Sequence, residues 1–123
     1  MDRLIQIVED DADIRFIVEY ILEDANYTVE TFESTKAFFE RNQRKNVDLI
    51  ILDVMLPDGN GIEISKGLKT DYETSSIPII IMSAHSNLKV ASHEGRADAF
   101  IQKPFDLDLF LLSVKELLQQ HQK

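Results

Sequence analysis

Cysteine is absent from the 123 residues, so the chain can build neither a disulfide framework nor a thiolate metal site. Nothing in it calls for an oxidising compartment. Long apolar runs are absent too. Met1-Asp2-Arg3-Leu4 passes directly into a short strand-like run with no small-residue cleavage site, so neither export nor membrane insertion is expected, and a cytoplasmic location is. Basic residues are in deficit, 13 against 22 acidic ones, and the net charge of −9 should repel a phosphate backbone, which argues against direct nucleic-acid binding. Internal repeats, low-complexity tracts and linkers are also missing. With a hydrophobic fraction of 44%, residues 1–123 are expected to form a single domain around its own core.

What the chain does contain is an alternation. Leu4 to Val8 is a short, β-branched apolar run that stops at Glu9, Asp10 and Asp11, the pattern of a buried strand ending in a charged loop. Ile14, Ile17, Val18, Ile21 and Leu22 then recur at helical spacing, with Asp11 or Asp13 available as the amino-terminal cap. Thr28 to Phe32 reads as a strand, Ser34 to Asn42 as a helix capped by Ser34, and Val47 to Leu52 as an apolar strand ending at Asp53. The turn-rich loop Met55-Leu56-Pro57-Asp58-Gly59-Asn60-Gly61 precedes a helix from about Ile62 to Lys69, which its interior Gly67 weakens by about 1 kcal/mol. Ile77 to Met82 is a strand with Pro78 tolerated near its start, and it ends at Ser83. A short helix near Leu88 to Glu94, a strand around Asp98 to Ile101 and a last helix from Asp106 to about Gln120 complete the chain. Leu107, Leu111, Val114 and Leu118 form the expected buried stripe of that last helix. Five strands alternating with five helices predict an α/β fold, a three-layer sandwich with a parallel sheet in the middle.

In an open parallel sheet, ligands bind outside the carboxyl ends of the strands. The unusual polar residues fall there: Glu9 and Asp10 after the first strand, Asp53 after the third, Ser83 after the fourth and Lys103 after the fifth. Three carboxylates brought together repel one another and raise each other's pKa, so they call for a cation. Oxygen ligands on a compact site favour Mg²⁺, which is commonly held by one or two carboxylates together with a phosphate. A carboxylate can attack phosphorus to give an aspartyl-phosphate while Mg²⁺ and a lysine neutralise charge on the transferred group. Asp53 is the best-placed nucleophile.

Four blocks carry a resemblance: Ile7-Val8-Glu9-Asp10-Asp11, Leu52-Asp53-Val54-Met55-Leu56-Pro57, Met82-Ser83-Ala84-His85 and Gln102-Lys103-Pro104-Phe105. In this order, each at a strand end, they resemble the receiver domains of response regulators in two-component signalling, and the resemblance runs through nearly the whole chain. It implies a flavodoxin-like, five-stranded parallel sheet of order 2-1-3-4-5. It also implies that Glu9, Asp10, Asp53 and the backbone carbonyl of Met55 bind Mg²⁺. Asp53 would accept a phosphoryl group from a sensor histidine kinase or phosphotransfer protein, and Ser83 and Lys103 would hold the phosphoryl oxygens. Ser83 and Phe100 would form a switch that remodels the face made by the fourth helix, fifth strand and fifth helix, where a downstream protein target or a second copy docks. The bond before Pro104 would be cis. Such a domain is a signalling module rather than an enzyme, with no nucleic-acid or membrane contact of its own. Between Ser83 and Lys103 the chain is a residue or two shorter than the family pattern, so the fourth helix is expected to be short, and Arg96 stands where Gly is typical.

Other readings fit the residues less well. A phosphatase of the haloacid dehalogenase class carries a second Asp two residues after its nucleophile, where this chain has Met55. A flavin carrier on the same fold needs a hydroxyl- and glycine-rich loop after the first strand, and three acids stand there instead. A degenerate receiver, acting as a phosphorylation-independent interaction module, should have lost one of Glu9, Asp10, Asp53, Ser83 and Lys103. Asp11 and Asp13 read as helix caps rather than ligands. His85, His93 and His121 lack metal-ligand spacing, and Leu109 and Leu112 lie off the core stripe, as ordinary exposed residues or part of a partner face.

Overall fold

Apolar residues in consecutive pairs, rather than in alternation with polar ones, put a sheet in the middle of this molecule. The computed structural model describes residues 3–41, 46–84 and 93–120. In chain order its elements are β1 (Leu4–Val8), α1 (Ala12–Asp24), β2 (Thr28–Phe32), α2 (Thr35–Arg41) and β3 (Val47–Asp53), then β4 (Met55–Leu56), β5 (Gly59–Asn60), α3 (Gly61–Thr70), β6 (Ile79–Ser83), β7 (Ala99–Gln102) and α4 (Leu107–Gln120). Five strands pair in parallel in the order β2-β1-β3-β6-β7, which is the expected order once the short antiparallel hairpin β4–β5 is set aside.

Side chains alternate across a strand, so a strand buried on both faces must be apolar at every position. In β3, Ile50 and Leu52 join Ile79 and Ile81 of β6 in a core closed by Phe38 of α2 and by Ile64 and Leu68 of α3. Leu49 and Ile51 join Ile80 and Met82 in a second core, closed by Val18 and Leu22 of α1 and by Phe110, Val114, Leu117 and Leu118 of α4. Each such side chain contributes roughly 1.5–3 kcal/mol by leaving water. The stripe on α4 differs from the expected one: Leu107 is exposed, Leu111 is half-buried, and Phe110 and Leu117 take the inward positions. Leu109 and Leu112 are exposed as expected.

Local chemistry sets the boundaries. Asp11 caps α1, its Oδ1 accepting from Asp13 N at 2.9 Å and Ile14 N at 3.1 Å, which leaves Asp13 in the first turn. Ser34 Oγ accepts from Ala37 N, Asn60 Oδ1 from Ile62 N, and Asp106 Oδ1 from Asp108 N and Leu109 N. Pro78 has no N–H for a ladder, so β6 begins at Ile79 rather than Ile77, although Pro78 O still accepts from Ile50 N. Asp48 interrupts the apolar run of β3 at a register shift, where its carboxylate accepts from Leu4 N at 2.8 Å. Arg96 has a φ of 59°, the left-handed region that explains a preference for Gly at that position. The helix expected over residues 88–94 falls mostly outside the described residues, which resume with a helical turn at 93–95. His85 and His121 also lie outside them, and His93 is exposed. Among the described residues, no helix is long and apolar enough to cross a membrane.

Candidate functional site

α1 leaves β1 over one face of the sheet and α3 leaves β3 over the other, so a crevice opens between the carboxyl ends of these two adjacent strands. Backbone bonds fix what enters it. Glu9 N donates to Phe32 O at 3.0 Å, Val54 N to Met82 O at 3.1 Å and Lys103 N to Ser83 O at 2.8 Å, so the residues at the tips of β1, β3, β6 and β7 are held by the ladder itself.

Glu9, Asp10 and Asp53 each offer a carboxylate oxygen within 4.8 Å of the others. Glu9 is fully buried, Asp53 is 6% exposed and Asp10 faces water. Lys103 Nζ donates to Glu9 Oε1 at 2.5 Å and lies 3.4 Å from Asp53 Oδ2. The second Glu9 oxygen accepts from Asp11 N at 3.2 Å. Burial pushes the Glu9 carboxyl up to about 7; the Lys103 bond opposes this shift, and the Asp53 charge adds to it. Burial alone would pull Lys103 down, but its bonds to Glu9 and Asp53 outweigh that and hold it above the ordinary lysine value.

The other residues expected at the site lie within the described part of the chain. Ser83 is buried at the end of β6, Met55 is exposed in β4 two residues beyond Asp53, and the Lys103–Pro104 peptide is cis. Phe100 points outward on β7, 42% exposed, beside a shallow groove of about 320 Å³ that also involves Pro104, Phe105 and Leu109. The side chains of Phe100 and Met55 are therefore exposed, whereas Glu9 and Asp53 of the acidic cluster are buried. One contributor escaped the sequence reading: Arg15 Nη1 donates to Glu9 O at 2.7 Å and Asp10 O at 3.3 Å, bracing the acidic loop from inside α1. Its only sequence signal was a cation one helical turn past the acids.

Chemically, three clustered hard oxygen donors, two of which share one ammonium, suit a small divalent cation such as Mg²⁺, which would neutralise part of the charge excess and could receive a phosphoryl group. Comparison with known proteins identifies the family. The model of the response regulator receiver domain matches residues 5–115. The response regulator ArlR of Staphylococcus epidermidis is 37% identical over 118 residues, which cover 94% of this chain and 52% of ArlR. The chain thus spans about half the length of that curated relative. Among solved structures, the signal receiver domain of a signal transduction histidine kinase from Syntrophus aciditrophicus superposes with a TM-score of 0.89 at 30% identity, covering 98% of this chain and 93% of that one. The BeF3-activated DrrB receiver domain superposes at 0.85 with 29% identity, covering 97% and 99%.

Proposed function

The chain belongs to the response regulator receiver domain family, and from that premise we propose that Asp53 is its phosphoacceptor, working with Mg²⁺ to switch a protein-interaction surface. The observation that carries this reading is the sharing of Lys103 between Glu9 and Asp53 beside three clustered carboxylates. Glu9, Asp10, Asp53 and the Met55 carbonyl are the groups that would hold the metal. When bound, Mg²⁺ supplies positive charge to the phosphoryl oxygens.

An Asp53 carboxylate oxygen attacks phosphorus on a donor phosphohistidine. A P–O bond forms, the P–N bond breaks, and the electron pair leaves on the imidazole nitrogen, which takes a proton from solvent. Lys103 Nζ, already within reach of Asp53, gives an ammonium to a phosphoryl oxygen as the charge on it grows. The Ser83 hydroxyl donates to another and follows the phosphoryl group inward. Phe100 on the neighbouring strand β7 then turns in from its exposed position, which remodels the face it shares with α4. The similar DrrB receiver domain, described as BeF3-activated, agrees with a site of this kind. The donor is a sensor histidine kinase or phosphotransfer protein, the output a contact with a downstream protein or a second copy, and the place of action the cytoplasm.

Borohydride trapping tests the assignment. After incubation with acetyl phosphate and Mg²⁺, hydride reduces an aspartyl-phosphate to homoserine, and peptide mass analysis should place homoserine at position 53. Homoserine at any other aspartate would overturn the assignment.

A further inference from the structure

The loop after Asp53 is tied down at two points, one of them outside the acidic cluster. At its base, Gly61 N donates to Val54 O at 2.9 Å, and Gly61 packs so tightly that a Cβ would stand 2.1 Å from Asp53 O. At its tip, the Asp58 carboxylate reaches across to α2, with Oδ1 accepting from Thr35 N at 2.8 Å and Oδ2 from Lys36 N at 2.9 Å. Gly59 lies against the same helix, where a Cβ would meet Thr35 Oγ1 at 2.5 Å. Asp58 is exposed, yet both its oxygens are committed to an element more than twenty residues away in sequence.

Between the two ties runs the hairpin β4–β5, in which Met55 pairs with Asn60 and Leu56 with Gly59. So short a hairpin is not rigid by itself. Its rigidity must come from its anchors, and Met55 stands on the strand leading to the tip that Asp58 anchors.

We propose that Asp58 is a positioning residue for the metal site: its clamp on the start of α2 fixes the β4–β5 hairpin so that the Met55 carbonyl completes the ligands offered by Glu9, Asp10 and Asp53. The proposal rests on the Mg²⁺ reading above. Asp58 touches neither the cation nor the phosphoryl group and acts through the backbone of the hairpin, as groups that orient ligands from behind do elsewhere.

Calorimetric titration of Mg²⁺ alone into the full chain, at low and high KCl and alongside thermal melts, tests it. Asp58→Ala is expected to bind Mg²⁺ about tenfold more weakly than wild type at both salt levels. Asp58→Asn, which keeps an acceptor oxygen for α2, should recover part of the loss and serves if the alanine variant does not fold. Glu63→Gln removes an exposed acid from the first turn of α3 without touching the clamp and should match wild type. A lower melting temperature with unchanged Mg²⁺ affinity would make Asp58 a helix cap and nothing more. A loss that disappears in high salt would assign the effect to its charge, because exposed charges are screened there, and would equally overturn the proposal. Absence of Mg²⁺ binding in wild type is a separate outcome that removes the metal reading itself.

Discussion

The two ends of the same sheet treat charge in opposite ways. At the amino end, Lys69 and Asp98 pair at 2.7 Å, and both also hold backbone: Asp98 Oδ2 accepts from Ile79 N at 2.8 Å and Lys69 Nζ donates to Ile77 O at 2.7 Å. Asp48 likewise accepts from Leu4 N and faces Arg3 at 3.8 Å. These are balanced staples. At the carboxyl end, three carboxylates cluster and two of them, Glu9 and Asp53, share Lys103, with Glu9 fully buried and its pKa pushed up to about 7 by that burial. Charge at one end is consumed by structure. At the other it is left in negative excess, which costs stability and is what an incoming cation would relieve.

The largest effect expected from disturbing this contrast is at Lys103. Lys103→Met removes the ammonium next to Asp53 and should slow labelling by acetyl phosphate on the order of hundredfold, as for loss of one donor to a developing oxyanion. A labelling rate equal to wild type, measured by intact mass over time, would show that Lys103 is only another staple.

At the opposite end the expected effect is on stability alone. Asp98→Ala strands the Ile79 N–H, leaves the Lys69 ammonium with Ile77 O but without its counter-charge, and should cost about 2 kcal/mol in urea unfolding. Labelling and Mg²⁺ affinity should stay as in wild type. If either moved with Asp98, the two ends would not be separate.

A smaller effect follows from pH. The folded pKa of Glu9 lies above its ordinary value of 4.5, at about 7, first because of burial and against the pull of Lys103. A proton on Glu9 therefore favours the metal-free fold: that contribution is fully present below 4.5 and is lost as pH rises through 7. Mg²⁺ competes with the same proton, so its affinity should climb by up to about tenfold per pH unit over this interval. Calorimetry across the interval should show the climb, and Glu9→Gln should flatten the stability step. An affinity flat in pH would mean that Glu9 does not ligate.

Much of this contrast could be read in one dimension. Glu9, Asp10, Asp53 and Ser83 stand at the ends of buried apolar runs, which are self-evident where a strand is covered on both faces, whereas Lys103 follows the partly exposed edge strand β7. The caps Asp11 and Ser34 were legible because their partners are two or three residues away. The inward face of α4 was less so: leucines occupy many of its positions, and periodicity alone did not separate Leu107 from Phe110. Asp58 looked like one more polar turn residue. Its partners, like those of Asp48 and Asp98, come from tertiary folding, and no local pattern announces a carboxylate that caps a helix other than its own. The β4–β5 hairpin is too short to carry any periodicity.

The central claim, that Asp53 takes a phosphoryl group with the help of Mg²⁺, meets its most direct test in the intact mass of the chain after incubation with acetyl phosphate. The prediction is a gain of one phosphoryl unit that requires Mg²⁺ in wild type and is absent from Asp53→Asn, with both proteins folded by circular dichroism. No gain in folded wild type, or an equal gain in Asp53→Asn, would contradict it.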